Sequence, residues 1–134
     1  MSDSESGADA SPYQLVGGAT AVRALVERFY DLMDGEPAYA VIRRLHAPDL
    51  AHARDKLYWY LSGWLGGPQL YIQRFGHPML RARHLPFSIG AAERDAWMAC
   101  MTQAMRETAI ADDLQEALAG AFFKTADWMR NRPE

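Results

Sequence analysis

The sequence predicts an all-α fold built as a single domain. Apolar residues recur at spacings of three and four in four separate segments, which is the period of a helix with one buried face. No segment alternates apolar and polar residues over the length of a strand. The chain has 134 residues, 49% of them hydrophobic, which is enough for one compact domain with its own core.

The first two predicted helices span residues 19–34 and 49–64. Gly17 and Gly18 mark a turn before the first helix. Pro48 stands where the start of a helix favours proline, and the run Gly66-Gly67-Pro68 ends the second helix. The expected buried faces are Val22, Leu25, Val26, Phe29, Leu32 and Met33 in the first helix, and Leu50, Ala53, Leu57, Tyr60, Leu61 and Trp64 in the second.

Two further helices are predicted in the last third of the chain, separated from the first two by an irregular segment, residues 68–90. This segment contains Gly76, Pro78 and Pro86, which forbid a long helix, but it is too apolar for a surface loop. It must pack against something, and a helical domain that encloses a flat cofactor needs such a segment. The expected buried faces of the last two helices are Ala96, Trp97, Cys100, Met101, Ala104 and Met105, and Leu114, Leu118, Ala121, Phe122, Trp128 and Met129.

Composition excludes several classes of function. With 14 basic and 17 acidic residues the net charge is -3, so no positive surface for nucleic acid or an anionic membrane is indicated. No apolar run approaches the roughly 20 residues that span a bilayer. The polar, acidic N-terminus predicts a flexible tail over residues 1–12, ahead of a domain over residues 13–134, and not a signal peptide. We therefore expect a cytoplasmic protein, with the lone Cys100 as a small core residue.

The four histidines do not suggest a zinc site, because no two of them stand four residues apart on a helix. They are His46, His52, His77 and His84. From local pattern alone, each is more often a surface or hydrogen-bonded histidine than a metal ligand. We expect His52 to face solvent and His77 to make local hydrogen bonds in a loop.

The order of six short motifs changes the interpretation of His84. The motifs are Gly17-Gly18, Arg28-Phe29-Tyr30, Gly66-Gly67-Pro68, Gly76-His77-Pro78, Arg83-His84-Leu85-Pro86-Phe87 and Glu93-Arg94-Asp95-Ala96-Trp97. No single motif is specific, but six in the right order with compatible spacing make coincidence improbable. With these motifs the chain resembles the group II truncated haemoglobins from about residue 13 to residue 129, which is nearly everything beyond the predicted tail.

The resemblance implies a two-over-two helical sandwich around haem b, with His84 as the proximal ligand of the iron. A neutral imidazole gives ferrous haem one strong axial bond and leaves the opposite position open for a gas. The other ring nitrogen of His84 should donate to an acceptor that the sequence does not identify. By the same resemblance, Leu57, Phe87 and Trp97 lie against the cofactor, and Lys56, Tyr71 and Arg83 are candidates for binding its propionates.

On the distal side the resemblance places Tyr30, His46 and Trp97 as polar groups near the ligand, with Ala53 and Leu57 as apolar neighbours. Tyr30 and Trp97 could equally be core residues, and only the resemblance makes them ligand contacts. His46 occupies a position that more often holds tyrosine or phenylalanine. It either donates to the bound ligand or coordinates the iron, and we favour donation because truncated folds usually keep the sixth site open.

Three functions from different classes remain open on the sequence. The first is reversible binding of oxygen, with carbon monoxide, nitric oxide or cyanide as further ligands. The second is nitric oxide dioxygenation or peroxide chemistry at the same iron, served by a reductase of unknown identity. The third is a helical interaction module without a cofactor. The chain could act as a monomer or as a homodimer.

Overall fold

The computed structural model describes residues 11–133, and this part of the chain contains eight α-helices, one 3₁₀ turn and no strand. The predicted all-α class is therefore confirmed. The helices are α1 (Pro12–Val16), α2 (Gly18–Gly35), α3 (Ala40–Arg43), α4 (Ala51–Trp64), α5 (Leu70–Phe75), α6 (Leu80–His84), α7 (Ala91–Glu107) and α8 (Asp112–Trp128), with the 3₁₀ turn at Pro37–Tyr39.

The four long helices form two layers of two. Helix α2 packs against α4, helix α7 packs against α8, and the two pairs meet where α2 packs against α7. The ring of Trp64 stacks on that of Phe122 with their centroids 4.6 Å apart, which joins α4 to α8. These helices are the four that the periodicity predicts, but α4 begins at Ala51. The carboxylate of Asp49 accepts from the backbone N–H of Ala51, so Pro48 precedes the helix and does not start it.

The predicted core faces agree with the observed burial except at the end of α8. All six predicted residues of α2 are buried, as are Cys100, Met101, Ala104 and Met105 of α7. The thiol of Cys100 donates to the carbonyl of Phe29, which confirms its place in the core. The prediction for Trp128 is wrong, because this side chain is 59% exposed. Trp128 ends α8, and the neighbouring Met129 fills the buried position there.

The irregular segment, residues 68–90, folds into the two short helices α5 and α6, and neither helix contains a buried residue. Gly76 ends α5 with a φ of 79°, a left-handed conformation that favours glycine. The predicted tail over residues 1–12 lies mostly outside the described residues. Ser11 and Pro12 belong to α1 instead, as its N-cap and first residue. Within residues 11–133, no helix combines the length and the apolar character needed to cross a membrane.

Candidate functional site

His84 is half-buried at the C-terminal end of α6, and its ring is held in one tautomer. Its Nδ1 lies 2.7 Å from the carbonyl oxygen of Leu80, one helical turn earlier. A carbonyl oxygen only accepts hydrogen bonds, so Nδ1 carries the hydrogen and Nε2 keeps its lone pair. This is the arrangement of a metal-ligating histidine whose second nitrogen is fixed by the backbone. Leu80 is thus the acceptor that the sequence does not identify.

The segment that carries His84 has the exposed apolar side chains that a flat apolar cofactor would cover. Five large apolar side chains between Leu70 and Phe87 are between 41% and 56% exposed. So many uncovered side chains in one short stretch are unusual for a small monomer, and they indicate a surface that something else covers. Haem offers both the area and the iron that such a surface and the lone pair of His84 require. The five side chains are Ile72, Phe75, Met79, Leu85 and Phe87.

The three residues predicted for the distal side lie in one aromatic cluster. Tyr30 is buried, and its ring lies edge-on to that of His46 with centroids 5.7 Å apart. Phe29 connects Tyr30 to Trp97, with ring centroids 5.0 Å and 5.3 Å away. The structure therefore groups the three predicted distal side chains in one place.

Tyr30 and Trp97 have hydrogen-bond donors that the surrounding protein does not use. Among residues 11–133, the hydroxyl of Tyr30 and the indole N–H of Trp97 take part in no hydrogen bond. Burial raises the pKa of Tyr30 well above its usual value, and the charge of Arg54, 5.9 Å from the centre of the ring, lowers it by less. Tyr30 thus stays protonated at neutral pH, so both side chains can donate to a ligand.

His46 uses its ring nitrogens as His84 does. Its Nδ1 donates to the carbonyl oxygen of Ile42 at 2.9 Å, which leaves Nε2 without a hydrogen in the neutral ring. Burial lowers the pKa of His46, and the charges of Arg43 and His84 lower it further. The hydrogen bond to Ile42 acts in the opposite direction. Neutral His46 therefore offers a lone pair and no Nε2 hydrogen.

The remaining predicted site residues fall in two places. Ala53 and Leu57 of α4 are half-buried and pack against the core. The three propionate candidates are less closely grouped. The ammonium of Lys56 lies 5.8 Å from the ring centre of Phe75, which contacts Tyr71.

Arg83 lies on α6 and is exposed, with its Nε donating to the carbonyl of Pro78 at 2.7 Å. Phe87, also exposed, follows α6 and donates its backbone N–H to the carbonyl of His84. The other two histidines behave as predicted. His52 is exposed, and the Nδ1 of His77 accepts from the backbone N–H of Met79 in the loop before α6.

Sequence reasoning missed two residues that contact the site. Arg54 of α4 lies over the ring of Tyr30 and forms ion pairs with Glu27 and Asp31. Asn131, after α8, contacts the carbonyl of His84. An arginine between an alanine and an aspartate and an asparagine between two arginines are ordinary surface and loop residues in sequence, so no local signal marks either one.

Comparisons with known proteins agree with this geometry. The family model described as bacterial-like globin matches residues 11–131. The group 2 truncated hemoglobin YjbI of Bacillus subtilis (strain 168) is 37% identical over 124 residues, which cover 92% of this chain and 91% of the relative.

Solved structures give the same result. The group II 2-on-2 hemoglobin of Agrobacterium tumefaciens is 44% identical, with a TM-score of 0.88 over 91% of this chain and 95% of its own. The truncated oxygen-avid haemoglobin of Bacillus subtilis is 37% identical, with a TM-score of 0.83 over 90% and 99%. The chain therefore belongs to the bacterial-like globin family, as a group II truncated haemoglobin with the two-on-two helical fold and with haem as the cofactor of its family.

Proposed function

We propose that the protein reversibly binds oxygen, and also carbon monoxide, nitric oxide and cyanide, at a haem iron held by Nε2 of His84. Bound haem supplies an iron with one open axial position for a diatomic gas. The observation that carries the proposal is the pair of unused donors on Tyr30 and Trp97, in the same cluster as the ring of His46. The description of the Bacillus subtilis structure as oxygen-avid supports this function.

Tyr30 and Trp97 retain the gas in this proposal. A gas that takes on partial negative charge at the iron would accept charge-assisted hydrogen bonds from the O–H of Tyr30 and the N–H of Trp97. Because neither donor has a protein partner among the described residues, neither must break an existing bond first. Ala53 and Leu57 supply apolar surface on the distal side.

The hydrogen bond of His46 to Ile42 changes the role that we propose for this residue. In the neutral tautomer the Nε2 atom has no hydrogen to donate to a ligand, so direct donation needs the imidazolium, and burial disfavours it. We therefore propose that neutral His46 acts as an acceptor for a water molecule, because the single hydrogen of the Tyr30 hydroxyl is donated to the ligand. Its lone pair could also bind the iron directly, which would fill the sixth position.

Optical spectra of the ferric, ferrous and carbon monoxide forms test the proposal. We expect a Soret band in the wild-type protein supplied with haemin, and its loss or a large shift in His84→Ala. His77→Ala is the matched control, since His77 is an exposed histidine of the same segment that contacts only the loop around it. A Soret band that stays unchanged in His84→Ala would overturn the assignment of His84 as the iron ligand. Absence of a Soret band from the wild-type protein would leave the helical interaction module as the better interpretation.

The same spectra decide the role of His46. We expect a high-spin spectrum of the ligand-free ferrous protein, unchanged in His46→Ala. A low-spin spectrum that reverts to high-spin in His46→Ala would instead identify His46 as the sixth ligand. Rapid oxidation of the oxygen complex by nitric oxide, combined with slow oxygen release, would favour enzymatic chemistry over carriage.

A further inference from the structure

The helix that carries His84 has few contacts of its own to hold it in place. Helix α6 has five residues, none of them buried, and it follows Met79, whose φ of 49° is left-handed. A helix of this length does not form alone in water, because nucleation costs more than one turn of hydrogen bonds returns. Contacts from elsewhere in the chain must therefore fix the position of α6.

Asn131 supplies such contacts from the residues that follow α8. Its side-chain amide donates to the carbonyl of Phe87 at 2.7 Å and to that of His84 at 3.4 Å. Its Oδ1 accepts from the backbone N–H of Ile89 at 2.9 Å. The two backbones are also joined directly, since the N–H of Asn131 donates to the carbonyl of Ile89 at 2.8 Å. One side chain thus uses both its nitrogen and its oxygen on residues 84–89.

Two arginines add hydrogen bonds between the same two parts of the chain, one from each part. Arg132 donates from Nε to the hydroxyl of Ser88 at 3.0 Å. From α6, Arg81 donates through Nη1 to the carbonyls of Trp128 and Arg130, at 2.5 Å and 2.9 Å. We call residues 128–132 the C-terminal strap. It is bonded to α6 at Arg81 and His84, and to the loop that follows α6 as far as Ile89.

We propose that Asn131 is a positioning residue for the bond between His84 and the haem iron, and that the strap holds it in place. This inference rests on the proposed function. Removal of the Asn131 amide frees the carbonyls of His84 and Phe87 and lets α6 move as a unit, together with Nε2 of His84. The approach of the imidazole to the iron sets the strength of that bond, and hence the retention of haem.

Three variants of the full-length, haem-loaded protein test this proposal. Asn131→Ala removes the donor and the acceptor together. Asn131→Asp keeps an oxygen for the N–H of Ile89 and loses the NH₂ group that reaches His84 and Phe87. The matched control is Gln115→Ala, which removes a side-chain amide that donates to the carbonyl of Ile110 at 2.6 Å, at the opposite end of α8.

We expect both Asn131 variants to lose haem to excess apomyoglobin about 10-fold faster than wild type. Loss of a hydrogen-bond partner that holds a metal ligand in place typically has an effect of this size. The iron–histidine stretching band of the ferrous protein should shift or broaden in resonance Raman spectra. Gln115→Ala should lower Tm without changing either measurement. The proposal is wrong if the Asn131 variants only lower Tm and keep the wild-type band and rate of haem loss.

Hydrogen exchange separates a failure of this inference from a failure of the proposed function. Asn131→Ala should speed exchange at the backbone amides of Leu85 and Phe87 relative to Gln115→Ala, with or without haem. Unchanged exchange at residues 84–89, in a protein whose Soret band depends on His84, would overturn the strap alone. A Soret band that does not depend on His84 would overturn the proposed function, and with it this inference.

Discussion

Tyr30→Phe should speed ligand release and leave the stability of the ligand-free protein nearly unchanged. The hydroxyl of Tyr30 makes no hydrogen bond to residues 11–133, but it is not one of the fully buried unpaired atoms, so water can reach it. Its loss should therefore change the free energy of unfolding, without a gas ligand, by less than about 0.5 kcal/mol. With oxygen bound, the same hydroxyl donates to a partly charged atom. A hydrogen bond of this kind is worth about 1.5–3 kcal/mol, so oxygen should dissociate about 10- to 150-fold faster from Tyr30→Phe.

Tyr39→Phe is the matched control, because Tyr39 is equally buried but its hydroxyl donates to the side-chain oxygen of Gln103 at 2.6 Å. This variant should lose about 1 kcal/mol of stability and keep the wild-type rate of oxygen release. Stability is measured by urea unfolding of the ferrous protein under argon, and release by rapid mixing of the oxygen complex with dithionite. If Tyr30→Phe loses as much stability as Tyr39→Phe, or releases oxygen at the wild-type rate, the reasoning about the unused hydroxyl is wrong.

Three further predictions concern packing, thiol chemistry and pH. An added Cβ at Gly67 would lie 2.5 Å from the ring of Tyr13. Gly67→Ala should therefore lower the free energy of unfolding in urea by about 1–3 kcal/mol. Gly120→Ala, which adds a Cβ in open space within α8, should raise it by about 0.5–1 kcal/mol. Burial raises the pKa of the Cys100 thiol to about 12, so at pH 8 about one thiol in 10,000 is ionised. Alkylation by iodoacetamide should then follow global unfolding, and rapid alkylation of the folded protein would contradict the burial of Cys100. The pKa of His46 is lowered in the folded state. Its neutral form therefore contributes to folding stability at pH values above the pKa in the unfolded state, about 6.5. This contribution is lost as the pH falls through the pKa in the folded state. As the pH falls from 7 to 5, the stability of His46→Phe should therefore rise relative to that of the wild-type protein. Parallel plots of stability against pH for the two proteins would refute the burial assigned to His46.

The long helices could be predicted from the sequence because their periodicity reports burial directly. Every predicted face residue of α2 is buried, since a helix packed on two sides by α4 and α7 shows its whole apolar stripe. The short helices α5 and α6 leave no such pattern, because neither contains a buried residue. Their apolar side chains are exposed, and periodicity does not distinguish such a segment from a core strand or an irregular loop.

The candidate site, too, could be predicted only in part from the sequence. His84, Tyr30 and Trp97 stand in three of the six motifs, and His46 is placed by the alignment of its segment with the family, so the sequence alone points to all four. Hydrogen bonds to backbone carbonyls leave no trace in residue type, so the Leu80 and Ile42 acceptors appear only in three dimensions. Asn131 is a further case, because it lies 47 positions after His84 in the chain and its sequence neighbours suggest a simple terminal loop.

The two histidines have the same hydrogen bonding, so only their surroundings can decide which one binds the iron. Each donates from Nδ1 to the carbonyl four residues earlier, and each offers the lone pair of Nε2. His84 lies on a helix without buried residues, in a segment with five exposed large apolar side chains. The ring of His46 is held between the carbonyl of Ile42, whose side chain is in the core, and the buried ring of Tyr30. Because the Nδ1 bond leaves Nε2 free at both histidines, coordination by His46 would not require the bond to Ile42 to break. The spin state of the wild-type protein and of His46→Ala therefore reports which side chain fills the sixth position.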